Sequence, residues 1–135
     1  MLEKALAKVI GSYEAIEGGK PYQAFFFLTG FPSDVIYHDS IESGDLWENI
    51  IQGAKANMPM VASVNSTQMG LRKEIKDAGL ADHHAYTLLD TKIVIKDGKK
   101  HRLVLIRNPY GTRSKREWEG KWSDSSAELT NEMQE

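Results

Sequence analysis

The chain is expected to fold as an α+β domain, with helices flanking a small antiparallel β-sheet or sandwich. Three observations predict this. Apolar residues recur at helical spacing through the first half of the chain; from His84 onward the spacing changes to two; and Asp97-Gly98 separates two runs rich in β-branched and leucine residues. Helices come first and strands later, with no internal repeat and no sign of a second domain, so residues 1–135 are expected to form one domain.

Leu2 to Ile10 sets Leu2, Ala5, Leu6, Val9 and Ile10 on one helical face, and Gly11 stops it. No capping residue precedes this helix, so the chain is expected to be a piece of something longer. Gly18-Gly19-Lys20-Pro21 is a break. Residues 22–31 then crowd Phe25, Phe26, Phe27, Leu28 and Phe31 ahead of Pro32, a segment expected to be buried. Residues 43–58 carry Leu46, Trp47, Ile50, Ile51 and Ala54 at helical spacing and close at Pro59. Met60 to Val64 reads as a buried strand, Ser66, Thr67, Gln68 and Gly70 as a polar passage, and residues 71–78 as a short helix stopped by Gly79. Three β runs follow, at residues 85–89, 92–96 and 102–107, with Asp97-Gly98 as the hairpin turn between the last two. Residues 111–116 form a polar, basic loop expected to be solvated, and residues 125–135 a tail polar enough to be loosely ordered.

A length of 135 residues, with 41% apolar and 27% charged content, fits one folded domain. Seventeen basic against 19 acidic residues give a formal charge of −2, and that balance asks for neither nucleic acid nor an anionic membrane. No apolar run approaches the roughly 20 residues needed to span a bilayer, and the start lacks the layout of a signal peptide. The chain therefore reads as intracellular and cytoplasmic. It has no cysteine, which excludes disulfides and thiolate metal ligation and agrees with a reducing compartment.

His84 opens the first β run, and Asn108 follows 24 positions later at the end of the third. Strands joined by a hairpin can bring two such side chains together. Each residue also has a plainer reading. His83 and His84 are adjacent on a strand, point to opposite faces and make poor joint ligands, so one is expected at the surface. Asn108 before Pro109 is ordinary turn chemistry. His38 and His101 have no motif around them and are expected to face solvent or bond locally.

His84-Ala85-Tyr86-Thr87, Ile106-Arg107-Asn108-Pro109-Tyr110-Gly111 and Glu117-Trp118-Glu119-Gly120-Lys121-Trp122-Ser123-Asp124 resemble the second half of the calpain-type cysteine protease core. Leu2-Glu3-Lys4-Ala5, Gly11-Ser12-Tyr13-Glu14-Ala15 and Gly18-Gly19 are similar to the helix and turn that open the same half, so the resemblance runs from about residue 2 to about residue 124. It implies a papain-like second subdomain, with the nucleophilic cysteine supplied by a preceding subdomain. His84 would be the general acid and base and Asn108 its orienter. The chemistry suits those residue types. A thiolate attacks, an imidazolium near its reference pKa of about 6.5 lowers the thiol pKa and protonates the leaving amine, and an amide oxygen orients the ring without adding charge.

This sequence departs from the family in three places. Tyr110 stands where calpains usually have a tryptophan that covers the histidine–asparagine bond, and a tyrosine can shield similarly. His83 stands where they usually have glycine. The loop over residues 112–117 looks longer and more basic. Tyr110 and Trp118 are the residues the resemblance places as shields at the substrate cleft, and residues 64–82 match a segment bordering that cleft, although Leu71, Ile75 and Leu80 have a simple packing explanation. The family also binds calcium in this half, and Glu117 and Asp124 match the first part of that pattern. Two carboxylates cannot fill a shell of about six to eight oxygens, so the site is incomplete within this chain, and two solvated acids beside Trp118 and Trp122 explain them equally well.

The sequence thus reads as the His/Asn-bearing half of a calpain-like endopeptidase acting on protein or peptide substrates. It would be inactive without its cysteine-bearing partner subdomain. The other reading is a non-catalytic calpain-like module whose bare subdomain interface, around Tyr110 and Trp118, docks a protein or supports self-association.

Overall fold

The computed structural model describes residues 1–64, 69–111 and 117–129. Ser66 to Gln68, residues 112–116 and the tail from residue 130, for which a polar passage, a basic loop and loose order are expected, lie outside them. The chain divides into two compact units, Met1–Asn49 and Ile50–Glu135.

In the first unit, helix α1 spans Leu2–Ile10, and Gly11 closes it at φ 122° with its N–H donating to the Ala7 carbonyl at 2.8 Å. Helix α2 spans Pro21–Thr29. Proline suits its first position, where an N–H has no helical partner; the Lys20 N–H donates to Gln23 Oε1 at 3.1 Å, and Gly30 ends the helix at φ 75°. The expected burial of residues 22–31 does not hold: Tyr22, Phe26, Phe27, Leu28 and Phe31 are all exposed. A nine-residue helix with apolar side chains on most sides cannot turn them all to one neighbour, and within α2 only Pro21 and Phe25 are half-buried.

Helix α3 spans Ser43–Lys55, beginning in the first unit and ending in the second. Its predicted face, Leu46, Trp47, Ile50, Ile51 and Ala54, is the half-buried one, and Gly53 is buried. A side chain at Gly53 would come within 2.6 Å of Met60 Sδ, so a bare backbone lets the strand start close to the helix.

The second unit is built on one antiparallel sheet, ordered β1-β2-β3, from Met60–Val64, His84–Lys96 and Lys99–Arg107. β1 lies at the sheet edge and is half-buried instead of fully buried. β1 pairs with residues 84–88 of β2 alone, from Val64 opposite His84 to Met60 opposite Leu88. The two strands expected at residues 85–89 and 92–96 are one continuous strand with a register shift between Leu88 and Asp90. An extra residue resets the alternation there, and that break in period made one bulged strand look like two. Asp97 and Gly98 take φ 51° and 70°, as a two-residue hairpin turn requires. Helix α4 spans Met69–Asp77 and ends at Gly79, where φ is 78°. Tyr86 and Val94, both on β2, are buried.

Candidate active site

His84 is the first residue of β2, and a kink precedes it. His83 has φ 51°, the left-handed region that glycine enters freely and other residues rarely do, and its N–H donates to Asp82 Oδ1 at 2.9 Å. A glycine would suit this backbone, which gives a physical reason for the family's usual residue. Asp82 also takes Arg72 Nε at 3.3 Å, tying α4 to the turn that leads into β2.

Asn108 follows the last residue of β3, and Arg107 pairs with Thr87. One step past that pair, position 108 would fall opposite 86; residues 108–111 then turn, with the Gly111 N–H donating to the Asn108 carbonyl at 3.1 Å. The side chains meet here. His84 Nε2 lies 2.8 Å from Asn108 Oδ1. The Tyr110 ring lies over His84 with centroids 4.3 Å apart and planes at 33°, while Tyr86 meets it edge-on at 4.8 Å and 89°. Asn108 Oδ1 accepts the Tyr110 N–H as well, at 3.1 Å, so one amide oxygen holds both the imidazole and the residue that covers it.

An amide oxygen can only accept, so the proton of this bond sits on Nε2. That leaves Nδ1 as the nitrogen that can exchange a proton with a reactant. His84 is only 9% exposed and Tyr86 3%, so the ring is packed in one orientation. The Tyr86 hydroxyl accepts the Ala81 N–H at 2.8 Å, which anchors the turn before His84. Tyr86 belonged to the His-Ala-Tyr motif, but its part in holding the ring was missed. Two residues of equal parity on a strand were the available signal.

The other expected residues sit apart from this group in their described contacts. The Trp118 indole N–H donates to the Lys121 carbonyl at 2.7 Å, and Trp118 packs over Gly120 within its own loop. Glu117 and Asp124 are both exposed, and among the described residues no group of three or more His, Cys, Asp or Glu could hold a metal ion. His101 differs from expectation: it is half-buried, and its ring lies 5.1 Å from Trp122, which Lys96 Nζ overlies at 5.5 Å. Trp122, at φ 65°, turns back onto the hairpin, a contact between distant segments that no local pattern announces. His38 lies exposed in a short 3₁₀ turn, His38–Ser40.

A buried imidazole held by an asparagine oxygen beneath an aromatic ring has its orientation fixed, with one ring nitrogen left to exchange a proton. The sequence pattern of the calpain family cysteine proteases matches residues 1–135, and the chain belongs to that family. It is 39% identical over 139 residues to the calpain-type cysteine protease DEK1 of Arabidopsis thaliana, a match covering 98% of this chain and 6% of that protein. It is 36% identical to the calpain-1 catalytic subunit of Rattus norvegicus over 129 residues, covering 95% of this chain and 17% of the relative. Calpain-14 of Homo sapiens is also 36% identical, over 131 residues, with 94% and 17% covered. The chain thus spans a small part of the length of each.

Proposed function

We propose that this chain supplies the general acid and base, His84, and its orienting amide, Asn108, to a calpain-type cysteine endopeptidase. The nucleophilic cysteine comes from outside these 135 residues. The 2.8 Å approach of His84 Nε2 to Asn108 Oδ1 is the observation that carries this reading. With Nε2 committed to Asn108, Nδ1 takes the thiol proton and the thiolate attacks the amide carbon. The imidazolium then gives that proton to the leaving amine, and the ring activates a water to hydrolyse the thioester. Tyr110 and Tyr86 exclude water from the imidazole and amide pair. With no cysteine, the chain alone cannot form a thioester and is inactive. Protein segments laid extended across the cleft are the substrates. In the assembled enzyme Glu117 and Asp124 would supply carboxylate oxygens to a calcium ion, and its remaining ligands would have to come from elsewhere.

The test is to mix this chain with a separately made cysteine-bearing half and follow peptide cleavage across a calcium series. Cleavage should require both halves, and His84→Ala should lower it by about 10²–10⁴-fold. Association of the halves without cleavage at any calcium level would instead favour the non-catalytic docking module.

A further inference from the structure

The near-neutral formal charge conceals a local excess. Residues 92–102 hold five Lys or Arg against the single acid Asp97, a formal +4 in a chain whose total is −2. The fold concentrates that excess at one end. Because β1 pairs only with residues 84–88, the remainder of β2 and β3 runs on as a two-stranded ribbon among the described residues. Its two faces differ. One carries buried Val94 and, opposite it, His101, whose ring meets that of Trp122. The other pairs Ile95 with Lys100, Ile93 with Arg102 and Thr91 with Val104. On that second face Ile95 is 73% exposed, Ile93 46% and Val104 44%.

We infer that this ribbon tip docks on an anionic lipid surface. Branched aliphatic side chains that protrude beside Lys and Arg suit a layered partner, with apolar contact at depth and negative charge just above it. Lys100 lies on the Ile95 face and Lys99, opposite Lys96, on the other; at the hairpin tip the ends of both can reach headgroup phosphates while Ile95 enters the acyl boundary. Charge complementarity sets the sign of the partner. The exposed Ile95 and Ile93 favour lipid over an acidic peptide, because an anionic bilayer supplies apolar depth beneath its charge. Trp122 packed on the opposite face stiffens the ribbon, so little order has to be gained on binding.

The test is co-sedimentation of the 135-residue chain with vesicles of phosphatidylcholine alone, and of phosphatidylcholine mixed with phosphatidylserine at about 7:3. The mixed vesicles should bind at least about tenfold more tightly, with binding falling steeply between about 0.05 and 0.5 M NaCl. Lys99→Glu with Lys100→Glu should abolish the preference, and Ile95→Ser should weaken binding to the mixed vesicles. Lys4→Glu with Lys8→Glu makes the same charge change on α1 and should leave most of the binding. Equal binding to both vesicles, no binding to either, or equal loss from the two charge-reversed pairs overturns the inference. Binding to polyglutamate in preference to mixed vesicles would also overturn it, in favour of an acidic polypeptide partner.

Discussion

Tyr110 reaches the same oxygen as the imidazole it covers: its N–H donates to Asn108 Oδ1 at 3.1 Å while its ring lies 4.3 Å from that of His84. The shield and the orienter are therefore coupled. Asn108→Ala should cost more than the loss of one hydrogen bond, because it frees the imidazole and the covering turn together. In the reconstituted enzyme, kcat/KM should fall by about 10–10³-fold, and Tyr110→Ala should fall less, by about tenfold. Progress curves on one peptide substrate compare the two variants directly.

Tyr86 holds the turn before His84 through its hydroxyl. Tyr86→Phe keeps the packed ring but strands the part-buried Ala81 N–H, which should cost about 1–2 kcal/mol. Tyr86→Ala also opens a cavity and should cost about 3–5 kcal/mol. Urea denaturation monitored by tryptophan fluorescence measures both.

Gly79 stands where α4 ends, at φ 78°, and a Cβ there would run into the Glu117 carbonyl oxygen, a backbone atom that cannot rotate away. Gly79→Ala should destabilise the second unit by more than about 2 kcal/mol and disturb the neighbouring Trp118 loop. A fluorescence shift in the folded state accompanying the lower urea midpoint is the expected sign.

His83 occupies a left-handed position at the surface. His83→Gly should change stability by less than about 1 kcal/mol, because relief of strain offsets the lost contact with Arg72. His83→Val, β-branched at the same φ, should cost about 1–3 kcal/mol. Paired denaturation curves decide whether backbone shape or the imidazole governs this position.

The exposed Lys73 ammonium lies 2.6 Å from Asp77 Oδ2, one helical turn on, and the hydrogen bond and charge of Asp77 raise the lysine pKa above its ordinary 10.5. A raised pKa in the folded state stabilises below the unfolded value, and the contribution is lost as pH rises through the lysine range. Lys73→Ala should therefore have a small effect at neutral pH that vanishes in strong alkali or at high salt. Glu14 has the opposite sign. Its backbone N–H bond, then Ser12, lower its pKa, so its contribution is present at neutral pH and fades as pH falls through the carboxylate range.

Much of this was legible in the sequence, for local reasons. The stripe Leu46, Trp47, Ile50, Ile51 and Ala54 marked α3 because one period repeated over about two and a half turns. Asp97-Gly98 marked the hairpin because few other residues tolerate its backbone angles. His84 and Asn108 stood out by their motifs, and their side chains meet where β3 ends beside the start of β2. The rest depended on long-range contacts or broken periods. The bulge after Leu88 split one strand into two apparent runs, the phenylalanines of α2 suggested a burial that no single neighbour can supply, and Trp122 met His101 across 21 positions of chain.

Long-range ¹⁵N–¹H NMR of the His84 ring tests the central claim most directly. In its neutral form the ring should carry its proton on Nε2, with Nδ1 bare, and Asn108→Ala should move it towards a mixture of tautomers. A ring protonated on Nδ1, or a tautomer balance that Asn108→Ala leaves unchanged, would contradict the assignment of His84 and Asn108 as base and orienter.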